Sequence, residues 1–183
     1  WCKVFDQKLV WEKLDYEVLP YHWNDRKKLY DDYKYLDAVY EKKLKEMTER
    51  LNTFHGVSYS NRYWRIVLGP WLYLFIQILF DRYLSIQTAI DSGKVRHTWI
   101  PSIPVNGFVP LDFLYFKSRL CIADDYNLFL YGRIIETLKG IPYQIKPVES
   151  SSNSTGDYIK NPAELFDKTF IKKLLLSYSK IIP

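Results

Sequence analysis

The sequence has 183 residues, a formal net charge of +5 at neutral pH and 48% hydrophobic side chains. This length and apolar content predict one domain with a sizeable core. The basic residues are spread along the chain without a polybasic run, which argues against nucleic acid as a partner. Cys2 and Cys121 are the only cysteines. They are too few for a disulfide framework, so we expect two reduced, buried thiols.

Both ends of the sequence have the pattern of secondary-structure elements that are cut short. Residues 1–5 have the pattern of the end of a strand, and residues 181–183 follow directly on a helical pattern. We therefore expect residues 1–183 to form a single helix-rich lobe that is truncated at both ends. The expected partner of such a lobe is the remainder of its own chain.

The first predicted elements are a short strand and a long helix. Residues 16–21 alternate in polarity and contain a proline, as a strand leading into a loop does. Asn24 or Asp25 is suited to cap the helix that follows, and Gly56 is suited to end it. Apolar residues then recur at the steps of three or four that indicate a helix, namely Leu29, Tyr33, Leu36, Tyr40, Leu44, Met47 and Leu51.

A second helix is predicted from Ser60, a suitable N-cap, to about Ile90, with its stop near Ser92 and Gly93. Residues 66–80 are almost entirely apolar. This run of about fifteen residues is shorter than the ~20 that span a bilayer. A buried core helix is therefore expected instead of a transmembrane one. Pro70 should kink this helix or begin a new one.

The remaining segments predict mixed structure. Residues 99–110 predict a loop or an extended segment, and residues 111–116 predict either a strand or a helix. Residues 123–137 have helical spacing, with Asp124 or Asp125 as the cap.

The last third of the chain adds one strand and one loop. Residues 143–148 alternate as a strand does, and the serine-rich residues 149–156 predict a flexible loop. Asn161 and Pro162 then open a final helix. Taken together, the predicted elements indicate a helix-rich α/β fold.

Several kinds of catalytic chemistry leave no signature in the sequence. The three histidines are far apart, and no HxH, HExxH or cysteine pair occurs, so no metal site is predicted. The adjacent Asp124 and Asp125 are more typical of a helix cap than of a metal site. No glycine-rich phosphate loop occurs, so no cofactor is expected within these residues. No Gly-x-Ser-x-Gly motif indicates a nucleophile.

The stretch from His55 to Arg65 carries the most distinctive polar residues. Arg62 and Arg65 share a face near the start of the second helix, where positive charge opposes the helix dipole. They therefore require a negative partner. This partner is either a phosphate or carboxylate of a ligand or an acidic side chain such as Asp81. His55 lies just upstream and is suited to act as an acid, a base or a donor to phosphate.

Two further groups of polar residues are candidates for ligand binding. Asp81 and Arg82 end the apolar run, where they either mark the return to solvent or line the floor of a cleft. His22, Trp23 and Arg26 lie at a junction between a loop and a helix. Such junctions favour ligands, although the two residues between Trp23 and Arg26 can serve as helix caps without any ligand.

Several long runs of the sequence are shared with a known family. They are residues 1–3, 21–28, 51–52 with 55–56, and 60–71, and they are continued by residues 75–76 and 81–83. These runs resemble a family of bacterial transferases associated with O-antigen and other surface-polysaccharide biosynthesis. The resemblance is strongest over residues 1–90 and looser beyond them.

The resemblance implies the amino-terminal lobe of a two-lobed, GT-B-like glycosyltransferase. The whole enzyme would use a nucleotide-sugar donor and a small-molecule or glycan acceptor. It would work in the cytoplasm, with peripheral association at the inner face of the membrane. In this setting His55 is the predicted catalytic residue, and the predicted ligand-binding residues are Arg62, Arg65, Asp81, Arg82, His22, Trp23 and Arg26.

The alternative hypothesis is a non-catalytic, helical protein-interaction lobe. The long first helix and its aromatic residues would then dock a partner. A concentration-dependent dimer that is lost when Tyr33 and Tyr40 are substituted would favour this alternative over a transferase.

Overall fold

The structure is a computed structural model, and it describes residues 13, 16–103 and 108–147. Within these residues it is a helix-rich α/β arrangement, as predicted. The elements in chain order are a 3-10 turn at His22–Asn24, α1 at Arg26–His55, α2 at Asn61–Asp91, β1 at Thr98–Ser102, α3 at Phe113–Ser118, a second 3-10 turn at Leu120–Ile122, α4 at Asp124–Leu138 and β2 at Tyr143–Pro147.

Helix α1 begins and ends at the residues that the sequence indicates. The side chain of Asp25 accepts hydrogen bonds from the backbone N–H groups of Lys27 and Lys28, at 2.9 and 3.2 Å. These bonds satisfy donors that the first turn leaves free. Gly56 closes the helix in the left-handed conformation, with φ of 65°, which a residue without Cβ adopts at little cost. Both predicted ends are therefore confirmed.

Helix α2 is a continuous helix of 31 residues with Pro70 inside it. The side chain of Ser60 caps it by accepting from the N–H of Tyr63, as predicted. The alternative that Pro70 begins a new helix is wrong. Turns on both sides of Pro70 contribute buried residues to one core, and this packing offsets the hydrogen bond that proline cannot donate.

By length and composition, α2 is also a helix that is able to cross a membrane. Its most apolar 18-residue window has a mean hydropathy of 1.3, and 39% of that window is buried. The core helix of a soluble protein passes the same test. The expectation that α2 is a core helix therefore stays a prediction, although many of its residues do lie in the core.

The core lies between α1, α2 and α4. Helices α1 and α2 are joined by a short connection and pack on each other, and α4 packs on another part of α2. Gly69 permits a close approach of the first two helices, since a Cβ built there would lie 2.6 Å from the hydroxyl of Tyr40. The largest fully buried side chains are Phe116, Leu44, Leu72, Ile76, Leu79, Leu130 and Ile134.

The two strands form a small parallel sheet in which Thr98 pairs with Tyr143 and Ser102 with Pro147. Helices α3 and α4 lie between the strands in the chain, as a parallel connection requires. The strand predicted at residues 143–148 is confirmed over Tyr143–Pro147, and residue 148 lies outside the described residues. The extended alternative holds for residues 99–102. For residues 111–116 the sequence allowed either a strand or a helix. The helical alternative is correct, since α3 begins at Phe113.

Two local predictions are wrong. Residues 16–21, which were predicted to form a strand, have no regular structure. Within the described residues the sheet has two strands that pair only with each other, so this segment has no strand to pair with. The N-cap of α4 is Ala123 without a side-chain bond, and Asp124 and Asp125 lie in the first turn instead. Their negative charge there favours the helix dipole. The predictions for residues 1–5, for the loop at 149–156 and for the helix from Asn161 lie outside the described residues.

Candidate functional site

The connection between α1 and α2 carries a cluster of exposed rings and one exposed cation. We call this cluster the aromatic-basic turn, and it consists of Phe54, His55, Tyr59, Arg62 and Tyr63, all of which are exposed. It combines the predicted catalytic residue with one of the two predicted phosphate-binding arginines. The sequence predicted these two residues together, and the structure places both at the same connection.

Side-chain hydrogen bonds, two of them exposed and two partly buried, hold this turn in one shape. The side-chain amide of Asn52 donates to the carbonyl of Tyr59 at 2.9 Å, and its oxygen accepts from the backbone N–H of Tyr59 at 3.1 Å. The same oxygen accepts from the indole N–H of Trp64 at 2.8 Å. The hydroxyl of Thr48 donates to the side chain of Asn61 at 2.8 Å. The exposed residues are therefore displayed on a fixed scaffold.

The rings of the turn pack against one another and against Trp64 in pairs. The ring of His55 is stacked on the buried Trp64, with centroids 6.1 Å apart and an angle of 22°. The rings of Tyr59 and Tyr63 have centroids 4.2 Å apart. Such contacts limit ring rotation, although Phe54, Tyr59 and Tyr63 remain 60%, 46% and 43% exposed. The result is a rigid aromatic surface of the kind that flat or sugar-like ligands stack on.

Arg65 and Arg62 differ in their partners. Arg65 donates two parallel hydrogen bonds to the carboxylate of Glu41 on α1, both at 2.6 Å. These bonds hold the pKa of Glu41 below its usual value and raise that of Arg65. Among the described residues, Arg62 has no hydrogen bond or ion pair. An internal acidic partner is thus present for one arginine, but it is Glu41 and not Asp81.

Asp81 belongs to a second cluster, which is sixteen residues further along α2 than Arg65. Sixteen residues correspond to roughly 24 Å of helical rise. Asp81 and Arg82 therefore do not form the floor beneath Arg62 and Arg65. The expectation that Asp81 and Arg82 lie in one site with Arg62 and Arg65 was wrong. The two pairs lie at opposite ends of one apolar run, and a continuous helix holds the ends of such a run far apart.

The second cluster joins the first 3-10 turn to α2 and α4, and we call it the His22–Asp81 cluster. Its members are His22, Asp81, Arg82 and Asn127. Atom Nε2 of His22 lies 3.1 Å from Oδ1 of Asp81, without the alignment of a hydrogen bond. Nη1 of Arg82 donates to Oδ2 of Asp81. Nε and Nη2 of Arg82 donate to Oδ1 of Asn127 at 3.1 and 2.9 Å.

The His22–Asp81 cluster is largely removed from solvent. The side chain of His22 is 5% exposed and that of Asp81 is 14% exposed. Burial lowers the pKa of His22, and the nearby Asp81 opposes this effect. All three nitrogens of the Arg82 guanidinium have protein partners. This arrangement ties three elements together and leaves Arg82 little capacity to hold a ligand.

Trp23 and Arg26 lie near this cluster in the sequence but have other contacts. The indole N–H of Trp23 donates to Asp32 at 2.9 Å, and Lys28 donates to the same oxygen at 2.9 Å. Trp23 thereby fixes the 3-10 turn against α1. Arg26 is exposed at the first residue of α1. Of the seven predicted ligand-binding residues, His22, Asp81 and Arg82 form one cluster. Trp23 touches this cluster through an edge contact with His22, with ring centroids 4.8 Å apart, and Arg62 and Arg65 lie one turn apart at the start of α2.

Glu41 and Asn127 are the two partners that sequence reasoning missed. Glu41 is 24 residues before Arg65, and Asn127 is 45 residues after Arg82. No local spacing connects either pair, so the sequence contains no signal that would have found them. Asn127 is itself held in place, since its amide donates to the carbonyl of Ala123 at 2.8 Å.

An apolar cavity lies beside the His22–Asp81 cluster, between α2, β1 and α4. It has a volume of about 330 Å³, and its walls include Leu19, Ser85, Trp99 and Tyr131. The centroid of the Tyr131 ring lies 5.9 Å from the Arg82 guanidinium, so this ring contacts both the cavity and the cluster. In the part of the chain that the structure describes, no group of three or more His, Cys, Asp or Glu side chains is arranged to hold a metal ion.

The helix-rich chain belongs to a family of transferases. Residues 1–182 match the family model described as LIC12162 family transferase, and the chain is a member of that family. Comparisons with curated proteins and with solved structures give no match. Family membership supports the class of protein that the sequence predicts, a transferase.

Proposed function

We propose that this chain is part of a glycosyltransferase-like enzyme of bacterial surface-polysaccharide or O-antigen biosynthesis. The enzyme moves a sugar or a related group from an activated donor, such as a nucleotide sugar, to an acceptor in the cytoplasm. Membership of a transferase family supports the reaction class, and the resemblance of residues 1–90 supports the polysaccharide context. The second half of the site belongs to the carboxy-terminal lobe of a GT-B-like protein.

The observation that carries this proposal is the state of Arg62. Its guanidinium is exposed and has no partner among the described residues, although it lies in the first turn of α2, where a cation opposes the helix dipole. A phosphate or carboxylate of a ligand supplies the missing negative charge, because its oxygens match the guanidinium fork. Arg65 already has Glu41, so Arg62 is the arginine that binds the ligand.

The neighbouring rings give the turn its second function. Tyr59 and Tyr63 offer exposed aromatic faces on which the apolar face of a sugar stacks. His55 is exposed at the end of α1 and either donates a hydrogen bond to the ligand or accepts a proton from the acceptor. The His22–Asp81 cluster, together with Trp23, supports the lobe from a distance.

Substitution of Arg62 by alanine in the full-length enzyme tests this function. We expect the affinity for the matching nucleotide sugar, identified by calorimetry in a panel of uridine- and guanosine-diphosphate sugars, to fall roughly tenfold or more, since a hydrogen bond to a charged group contributes about 1.5–3 kcal/mol. Thermal stability should stay unchanged. Arg65→Ala is the matched control, with retained binding. If Arg62→Ala binds normally but unfolds more easily, Arg62 has a structural role and the proposal fails.

The competing function, a non-catalytic interaction lobe, needs a different set of residues from the predicted one. Tyr33 is 52% exposed, whereas Tyr40 is 7% exposed and its ring packs against Tyr73. Substituting Tyr40 would therefore disturb the core and would not report on docking. Tyr30 is exposed near Tyr33 on α1. A concentration-dependent dimer that is lost in a Tyr30→Ala/Tyr33→Ala variant, measured by size-exclusion chromatography, would support this second function.

A further inference from the structure

The first turns of α2 expose an apolar face to solvent. Tyr63, Ile66, Val67 and Pro70 recur at steps of three, one and three, which places them on one side of the helix. All four are exposed, and Ile66 and Val67 are 71% and 56% exposed. We call these four residues the exposed α2 face.

The exposed α2 face is unusual because the other side of the same turns is buried. Trp64, Gly69 and Leu72 lie in the core, so these turns are apolar on both sides while the lobe covers only one. A helix that is apolar all round is normally covered on all sides. A contiguous exposed apolar face therefore marks a surface that contacts a partner or a membrane.

The charged residues within the α2 segment that carries this face are all basic. Residues 53–80 contain Arg62 and Arg65 and no Asp or Glu. Glu41 neutralises Arg65, which leaves the positive charge of Arg62 at the edge of the face. Tyr59 and Tyr63 lie beside Arg62, at the same end of the helix. The surface thus combines aliphatic side chains, tyrosine rings and a free cation.

We propose that the exposed α2 face lies on an anionic lipid bilayer at the level of the headgroups. Ile66 and Val67 enter the boundary between headgroups and acyl chains, as the apolar side of an interfacial helix does. The tyrosine rings, which have one apolar and one polar end, lie at the membrane–water interface. Arg62 contacts lipid phosphates, whose negative surface potential attracts cations. This docking does not rest on the proposed transfer reaction, and lipid and donor would compete for Arg62 and the tyrosine rings.

Pro70 fits contact with the interface better than a deeper position. It has no N–H to donate to the carbonyl of Ile66, and a carbonyl without a donor is tolerated in hydrated headgroups but costly in hydrocarbon. Further along α2, Asp81 and Arg82 are tied to other elements of the lobe. These contacts favour a helix that stays packed in its lobe and touches the membrane with one side.

A second copy of the chain is a poorer occupant of this face. Most homodimers have two-fold symmetry, so that the same patch faces itself. A two-fold interface centred on the exposed α2 face would contain the Arg62 of both copies, with no acidic residue between positions 53 and 80 to compensate. Phospholipid headgroups supply the negative charge that this surface lacks.

Vesicle co-sedimentation of the full chain, without donor or acceptor, tests the proposal. We expect binding to vesicles of phosphatidylglycerol and phosphatidylethanolamine, and much weaker binding to phosphatidylcholine alone. Ile66→Glu/Val67→Glu should lower the vesicle affinity at least about tenfold, because it places two anions against an anionic surface. Arg62→Gln should lower it about fivefold, the effect of one basic residue at such a surface, and should weaken its salt dependence.

Ile122→Glu is the matched control, because Ile122 is 72% exposed but lies in the 3-10 turn after α3. We expect this variant to bind vesicles like the unchanged chain, and circular dichroism should show that all variants are folded. Three outcomes overturn the proposal. They are no binding to anionic vesicles, an equal loss in the Ile122 variant, and a dimer in solution that the Ile66→Glu/Val67→Glu substitution separates.

Discussion

The two polar clusters of this lobe differ in how completely the protein itself satisfies them. In the His22–Asp81 cluster, all three guanidinium nitrogens of Arg82 have protein partners, and the cluster is mostly buried. In the aromatic-basic turn, Arg62 is exposed and has no partner among the described residues. Both clusters contain a histidine and an arginine on or beside α2, so residue type alone does not distinguish them.

This difference separates structural from functional roles. A buried charge that loses its partner is costly, so a satisfied network holds the elements that contribute to it in one arrangement. An exposed cation on a rigid turn contributes little to cohesion but is available to a ligand or a surface. We therefore assign cohesion to the His22–Asp81 cluster and binding to the aromatic-basic turn.

The largest expected effect breaks the His22–Asp81 cluster at its centre. Asp81→Ala leaves Arg82 without its carboxylate partner and removes the anion beside His22. We expect a loss of about 3 kcal/mol in the free energy of unfolding, at the lower end for a broken buried pair, because Asp81 and Arg82 are still 14% and 23% exposed. Urea denaturation measures it.

The matched control for this substitution is Asp31→Ala. Asp31 is exposed on α1 and has no hydrogen bond or ion pair within the described residues, so we expect a change within about 0.5 kcal/mol. A similarly small change in the Asp81 variant would show that this cluster does not hold the lobe together, and the comparison of the two clusters would fail.

A smaller effect concerns the pH dependence of stability, to which we expect His22 and His55 to contribute differently. Burial holds the pKa of His22 below its ordinary value of 6.5. The unfolded chain therefore binds a proton at this residue before the folded chain does. The stability that the neutral imidazole contributes is present above pH 6.5 and is lost as the pH falls through the lower, folded pKa.

The substitution His22→Gln should flatten this pH dependence, measured as the free energy of unfolding in urea from neutral pH downward. His55→Gln serves as the control, because His55 is exposed on the aromatic-basic turn and its substitution should leave the slope as it is. An unchanged slope in the His22 variant would mean that other groups govern the acid sensitivity of the lobe.

Local signals made the helices predictable. Asp25, Gly56 and Ser60 have the chemistry that helix ends require, and the bonds they make depend only on residues within about four positions. The periodic apolar residues of α1 likewise follow from local geometry, although Tyr33 is exposed because the core does not reach the first turns of that helix.

The candidate site was predictable only in part, for the opposite reason. His55 and Arg62 are close in sequence and lie on one short connection, so their proximity follows from the chain. The partners Glu41 and Asn127 are brought in by the packing of separate helices. Asp81 was grouped with the wrong arginines because the sequence does not show that one unbroken helix carries it roughly 24 Å away.

The smallest expected effect sharpens the contrast between the two arginines of the turn. Arg65→Ala breaks an exposed ion pair with Glu41, whose partners are 40% and 49% exposed, and we expect a loss of at most about 1 kcal/mol. Because Arg65 holds the pKa of Glu41 down, the lost stability is the part that is present above the ordinary carboxyl pKa and disappears on acidification. Thermal unfolding at low and high salt measures both the size of this effect and its screening.

Arg62→Ala, in contrast, should cause no loss of stability. A cation in the first turn of α2 opposes the helix dipole, so its removal should leave the midpoint of thermal unfolding unchanged or raise the free energy of unfolding by up to about 0.5 kcal/mol. A clear loss of stability would instead reveal an internal partner and remove the argument for a ligand. A side chain that costs stability where it stands, beside rings held rigid by Asn52, is explained by what it binds and not by what it holds together.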